Sequence, residues 1–130
     1  MTGRDAEPLD VRKIFASEMS ERQLDETVRD LCKWLGVKCF SVRNSSAGIV
    51  TCRGYPDLTL CGANGVIWRE LKTETGKLSR EQVEWGEWLT AAGASWAVWR
   101  PGQLIDQSIR RELEQLAGRQ TCPPGMAGRD

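Results

Sequence analysis

The chain has 130 residues, enough for one domain that buries about 65–70% of the surface its unfolded form would expose. Charged residues make up 28% and hydrophobic residues 40%, an ordinary composition that excludes disorder of the whole chain. Eighteen basic and eighteen acidic residues give zero net charge, which argues against a uniformly basic nucleic-acid coat.

Two residue types limit the chemistry. There is no histidine, which excludes histidine-dependent triads, zinc hydrolases and zinc deaminases. The five cysteines are odd in number and form no Cys-x-x-Cys pair, so we expect reduced thiols and no structural zinc. The first thirty residues are too charged for a signal peptide or a membrane span, and we expect a cytoplasmic protein. Any catalysis must use carboxylates, lysine, tyrosine or cysteine.

The first predicted helix follows a polar extension. Residues 1–19 carry a short apolar patch, for which we expect at most a short helix. Ser20 and Gln23 have capping-box spacing and begin an amphipathic helix that ends at Gly36.

The middle of the chain has strand patterns. Residues 37–42 predict a strand, and 43–56 a glycine-punctuated connection with a short strand at 49–52. Residues 57–61 and 66–72 predict two more strands, and the Gly-Ala-Asn-Gly sequence between them indicates an antiparallel hairpin.

The last third begins with Ser79 and Gln82, which form a second capping box. The expected elements are a helix at 79–92, a strand at 95–100, a helix at 103–117 and a disordered tail at 118–130.

This order of elements predicts an α/β (α+β) fold with a mixed β-sheet flanked by helices. The connection from 66–72 through the 79–92 helix is long enough to make strand 95–100 parallel to strand 66–72. We expect a single domain over residues 20–117.

The hairpin brings two carboxylates together. Strand alternation puts Glu70 and Lys72 on one face, at what we expect to be the solvent-exposed end of a strand whose Trp68 belongs to the core. A four-residue loop pairs Asp57 with Glu70, and a two-residue loop pairs Asp57 with Lys72. Either register leaves Asp57 and Glu70 on the same side of the sheet.

Facing carboxylates need a partner or a raised pKa. One interpretation is that Lys72 neutralises one of them, and that Asp57 begins a strand while Glu70 is solvated. The other is a site for Mg²⁺ or Mn²⁺, in which such an ion acidifies a bound water and allows phosphodiester hydrolysis without histidine.

Two further polar residues have competing explanations. Glu21 extends the apolar stripe of the first helix, so its carboxylate begins on the inward face, although a first-turn acid also interacts favourably with the helix dipole. Gln82 is explained by capping alone.

Positive charge is concentrated in the middle of the chain. Seven basic residues against three acidic ones lie between positions 36 and 80, as expected for a phosphate-bearing partner or for solvated loops. The candidate DNA contacts are Arg43, Arg53, Lys77 and Arg80.

Three stretches carry a resemblance to a known family. They are GYPDLTL (54–60), WRELKTETGKLSREQVEW (68–85) and AAGASWAVWRP (91–101), preceded by a similar leading helix at 20–37. The chain resembles the VRR-NUC family over about residues 20–106; this family is a branch of the PD-(D/E)xK nucleases with the restriction-endonuclease-like fold. Asp-x(n)-Glu-x-Lys alone is a weak motif, and the surrounding sequence makes it specific.

The resemblance implies roles for the paired acids and their neighbours. Asp57 and Glu70 would bind Mg²⁺ or Mn²⁺ with the backbone carbonyl of Leu71, and Lys72 would be the catalytic lysine. Glu21 would be an acid near the metal or its waters.

The resemblance also implies a position for Gln82 close to the site. One departure is visible, since Ser41 stands where the family often has histidine.

The implied function is a metal-dependent DNA endonuclease of phage or bacterial type. Some members of the family act as homodimers on branched DNA. No nucleotide cofactor and no membrane partner are expected. The alternatives are a DNA-binding module of the same fold that has lost cleavage, and an interaction domain without a nucleic-acid role.

Overall fold

The structure, a computed structural model, describes residues 10–42 and 52–118. None of the helices in these two ranges is long and apolar enough to cross a membrane. The elements are α1 (Val11–Glu18), α2 (Glu21–Leu35), β1 (Lys38–Ser41), β2 (Leu58–Gly62), β3 (Gly65–Leu71), α3 (Arg80–Ala91), β4 (Ser95–Trp99), α4 (Pro101–Ile105) and α5 (Ser108–Ala117).

The four strands form one mixed sheet in the order β1-β2-β3-β4. The first three are antiparallel, and β4 runs parallel to β3 after the crossover through α3. The predicted fold class, a mixed sheet flanked by helices, is therefore confirmed. Each strand lies within one residue of its expected bounds.

The helices cover the two faces of the sheet unequally. Apolar residues of α2 and α5 form the main core with Leu58, Leu60 and Leu71 of the sheet. On the other face α3 approaches so closely that a Cβ on Gly86 would lie 2.6 Å from the Trp96 ring. Among the described residues, the sheet thus has a two-helix face, covered by α2 and α5, and a one-helix face, against which α3 packs.

Strand β3 divides its side chains between these faces. Leu71 and Arg69 point to the two-helix face, where Arg69 Nη2 donates to Glu112 Oε1 at 2.8 Å. Trp68 points to the other face, where its Nε1 donates to the Tyr55 hydroxyl at 3.2 Å. The expectation that Trp68 belongs to the main core was wrong, because the apolar layer follows the odd-numbered positions of β3.

Both predicted capping boxes are present. Ser20 and Gln23 satisfy each other's backbone N–H groups at the start of α2, and Ser79 and Gln82 do so for α3. Helix α2 is capped at its C-terminus by Gly36, whose φ of 79° places it in the left-handed region that favours glycine.

The expected helix at 103–117 is instead two helices, α4 and α5. Pro101 occupies the first helical position, where its missing N–H costs nothing, so α4 begins earlier than predicted. Gln107 has a φ of 74°, and the Asp106 carboxylate accepts the N–H of Ser108 at 2.8 Å. This local turn separates the two helices.

The structure describes part of the N-terminal extension and little of the C-terminal tail. Helix α1 lies within the N-terminal extension and packs against α4. The expected short strand at 49–52 falls mostly, and the expected tail at 118–130 almost entirely, outside the described residues, as does Arg43.

Candidate functional site

The hairpin register places Asp57 opposite Glu70. Strand β2 pairs with β3 so that Cys61 is opposite Val66 and Leu58 is opposite Arg69. Continued by one residue beyond Leu58, this register places Asp57 opposite Glu70. Of the two registers considered from the sequence, the one that pairs Asp57 with Lys72 is therefore not formed.

The Asp57 carboxylate is held by the neighbouring strand. Its Oδ2 accepts the backbone N–H of Leu71 at 2.9 Å, and its own carbonyl accepts the N–H of Val42 at 2.9 Å. Asp57 is thus fixed between β1 and β3 before any ligand binds, with its side chain beside the peptide that joins Glu70 to Leu71.

Glu70 is completely buried, contrary to the expectation of a solvent-exposed strand end. It lies in the interior of the sheet, between β2 and β4, on the same face as Trp96, against which α3 packs. Neither of its carboxylate oxygens has a hydrogen-bond partner within residues 10–42 and 52–118. Burial raises the pKa of Glu70 to about 9, with a further contribution from the Asp57 carboxylate.

Lys72 lies immediately beyond β3 and is half-buried. Its positive charge opposes the rise in the pKa of Glu70, so the ammonium group lies near that acid. Its backbone N–H donates to the carbonyl of Trp99 at 3.1 Å, so the lysine is anchored to β4.

The loop after Lys72 is tied down by Arg100. The Nη1 of Arg100 donates to the carbonyls of Thr73 at 2.7 Å and Gly76 at 2.8 Å. In addition, Glu74 Oε1 accepts the N–H of Gly102 at 2.9 Å. These bonds fix the direction in which the chain leaves the site.

The pair of acids suits a divalent cation. Buried carboxylate oxygens without donors, beside a second carboxylate, are the oxygen ligands that Mg²⁺ and Mn²⁺ prefer. No group of three or more histidine, cysteine, aspartate or glutamate side chains that could hold a metal ion occurs within the described part of the chain. The remaining ligands would be the Leu71 carbonyl, water and phosphate oxygens.

Glu21 opens α2, on the two-helix face of the sheet, and is half-exposed. It does not join Asp57 and Glu70 in a three-acid cluster among the described side chains. A role through a bound water stays a prediction.

Asp25, one turn after Glu21, is a buried acid that sequence reasoning missed. Its Oδ1 accepts from Ser41 Oγ at 2.8 Å, and its Oδ2 accepts from Arg29 Nε at 3.0 Å. Its position directly after Leu24, between Glu21 and Val28 on the helix face, was the available signal. Ser41, the departure from the family pattern, therefore joins β1 to α2.

Gln82 acts as a helix cap. Its Oε1 accepts the N–H of Ser79 at 2.8 Å, as the capping interpretation requires. A role close to the paired acids stays a prediction.

Three of the candidate DNA contacts lie in the described residues, and all three are exposed: Arg53, Lys77 and Arg80. A Cβ on Gly54 would lie 2.4 Å from the carbonyl carbon of Glu81, so the turn at 52–54 presses against the first turn of α3. This contact brings the backbone at Arg53 close to that at Arg80.

Comparison of the chain with family models, with curated proteins and with solved structures found no match. The resemblance to the VRR-NUC family therefore depends on the motif residues and on the order of the elements.

Proposed function

We propose that the protein is a Mg²⁺- or Mn²⁺-dependent DNA endonuclease of the VRR-NUC type. The observation that carries the proposal is the buried Glu70 carboxylate, which faces Asp57 across a hairpin, lies near Lys72 and lacks a donor within the described residues. The order α2, three antiparallel strands, α3 and a parallel strand also supports it, because the resemblance implies this arrangement.

Each residue has a defined task in this proposal. Asp57 and Glu70 would hold the divalent ion together with the Leu71 carbonyl, and the Leu71 N–H keeps Asp57 oriented. A bound divalent ion polarises the phosphodiester and lowers the pKa of water. Lys72 orients the attacking water and offsets negative charge on the phosphate as it is attacked.

DNA would approach over the exposed basic residues near α3. Arg53, Lys77 and Arg80 contact phosphates in this proposal, and no nucleotide cofactor is needed. A homodimer would supply two such sites for symmetric cutting of branched DNA.

The alternative is a binding module of the same fold. The burial of Glu70 argues against it, because desolvating a carboxylate beside Asp57 destabilises the fold without improving DNA binding. A protein that only binds phosphates gains nothing from two opposed acids.

The test compares cleavage by the wild-type protein with that by Glu70→Gln and Lys72→Ala. Glu87→Gln, on the exposed surface of α3, is the matched control. Supercoiled plasmid and branched DNA are incubated with Mg²⁺, Mn²⁺ or EDTA. We expect ion-dependent cleavage that falls by about 10²-fold or more in both site variants and is retained in the control.

Other outcomes are equally decisive. Unchanged nicking by either purified site variant would contradict the assignment. Salt-dependent DNA binding without cleavage by the wild-type protein would select the binding module, and no salt-dependent DNA binding would reject both.

A further inference from the structure

Cys32 and Cys39 face each other between α2 and β1, on the two-helix face of the sheet. Residues seven apart on a helix share a face, as do alternate residues of a strand. Asp25 and Cys32 therefore lie on one side of α2, and Cys39 and Ser41 on one side of β1. Because Asp25 bonds to Ser41 at 2.8 Å, the same packing brings Cys32 to Cys39.

The turn between the two cysteines also keeps α2 and β1 close together. The N–H groups of Gly36 and Val37 both donate to the Cys32 carbonyl at 2.9 Å, so the chain reverses directly after the helix. Cys39 then packs against the core cluster to which Cys32 belongs.

The two thiols differ in access. Cys32 is buried, whereas Cys39 is half-buried, and both line a surface cavity of about 600 Å³. The charged residues that line the same cavity are Arg29, Lys33 and Lys38. A reagent in this cavity meets Cys39 first. Arg29 is already paired with Asp25, and the positive charges of Lys33 and Lys38 favour an anionic reagent.

The thiols also differ in acidity. The neighbouring Cys32 thiol lowers the pKa of Cys39, and Arg29 lowers it further, against the opposing effects of burial and of Asp25. The same contact with Cys39, followed by burial, raises the pKa of Cys32. Cys39 is the more accessible thiol and lies near Arg29, so it is the readier nucleophile, and the buried Cys32 is the second thiol beside it.

We propose that Cys32 and Cys39 form a reactive dithiol, which a small anionic disulfide such as oxidised glutathione converts into an intramolecular disulfide. This inference is independent of the nuclease activity. In reducing compartments, disulfides are usually transient and form between thiols that are otherwise reduced, as in this pair.

The reaction proceeds by two thiol–disulfide exchanges. The Cys39 thiolate attacks one sulfur of oxidised glutathione, whose S–S bond breaks, and one glutathione leaves as a thiolate. Cys32 then loses its proton to solvent and attacks the Cys39 sulfur, which releases the second glutathione. The protein loses two electrons and two protons, and the reagent is reduced to two thiols.

The test uses the full chain with the other three cysteines replaced by serine: Cys52, Cys61 and Cys122. This protein is incubated with oxidised glutathione at neutral pH and followed by intact mass and peptide mapping. We expect a product lighter by two hydrogen atoms, with a bond between Cys32 and Cys39 that a reductant reverses.

Two variants on the same background separate the steps. Cys32→Ser should stop at a stable glutathione adduct on Cys39, and Cys39→Ser should react at least several-fold more slowly. If Cys32→Ser fails to fold, a second measurement replaces it. Iodoacetamide should alkylate Cys39 in the protein that keeps Cys32 and Cys39 several-fold faster than it alkylates Cys61 in a protein that keeps only Cys61.

The proposal is overturned if the pair accumulates the glutathione adduct without closing to the disulfide. It is equally overturned if Cys39 reacts no faster than the exposed Cys61.

Discussion

Glu70 is the residue at which local pattern and three-dimensional environment differ most. Alternation correctly placed it on the face of Asp57, because side-chain direction in a strand is a local property. Its burial depends in part on β4, which comes later in the chain and places Val98 beside it, and no local pattern reports how completely Glu70 is covered. The pair of acids was therefore predictable, whereas its desolvation was not.

Replacing Glu70 should change how stability depends on pH. The pKa of Glu70 rises from 4.5 to about 9 on folding. The stabilisation that protonated Glu70 gives the folded state is therefore fully present below pH 4.5 and is lost as the pH rises through about 9. In EDTA, Glu70→Gln should match the wild type near pH 4 and exceed its unfolding free energy by on the order of 5 kcal/mol near pH 8, because each pH unit between the two pKa values contributes about 1.4 kcal/mol.

Urea unfolding across this pH range is the measurement, with Glu87→Gln as the control that should follow the wild type. Parallel stability profiles for wild type and Glu70→Gln would show that Glu70 ionises in the folded protein without penalty.

Divalent ions should stabilise the folded protein through the same two acids. At a concentration 100 times the dissociation constant, a ligand specific to the folded state adds about 2.7 kcal/mol. We expect Mn²⁺ or Mg²⁺ to raise the melting temperature of the wild type and to leave Asp57→Asn and Glu70→Gln nearly unchanged. Equal shifts in all three proteins would place the ion elsewhere.

At the scale of elements, helix starts were predictable and helix breaks were not. The capping boxes at Ser20 and Ser79 are local signals, because each cap satisfies a neighbouring N–H. The break between α4 and α5 depends on Gln107 in a left-handed conformation. Glutamine rarely adopts this conformation, and the position has no glycine that would have indicated it in the sequence. The contact of Cys32 with Cys39 likewise needed the packing of α2 on β1.

The two capping boxes provide a matched pair of variants. Gln23→Ala and Gln82→Ala remove the same side-chain bond from α2 and α3, and each should lower the unfolding free energy by about 1 kcal/mol. If Gln82 only caps, both variants should retain similar cleavage rates under conditions in which they remain folded. A much larger rate loss for Gln82→Ala at equal stability would reveal a direct role at the site.

At the scale of the whole molecule, zero net charge conceals an uneven distribution. Arg53, Lys77 and Arg80 are exposed, and the 52–54 turn is pressed against the start of α3. Phosphate contacts of this kind make binding strongly salt-dependent, although overall charge gives no attraction.

Replacing these basic residues should weaken DNA binding and its salt dependence together. Arg53→Ala and Arg80→Ala should each reduce the slope of log K against log salt concentration by about 1. Lys13→Ala, exposed on α1, is the control and should leave the slope unchanged. Titrations of labelled DNA at several salt concentrations measure the slope, and an unchanged slope in both arginine variants would remove this surface from the interface.

The alternation of β3 has a consequence for how its sequence can vary. Arg69 and Leu71 serve one side of the sheet and Glu70 the other, so a substitution disturbs one side at a time. Loss or gain of a single residue within the strand would exchange the two sets, placing the arginine beside Asp57 and the glutamate in the apolar layer. We therefore expect β3 to tolerate replacements that preserve the character of each side far better than any change of length.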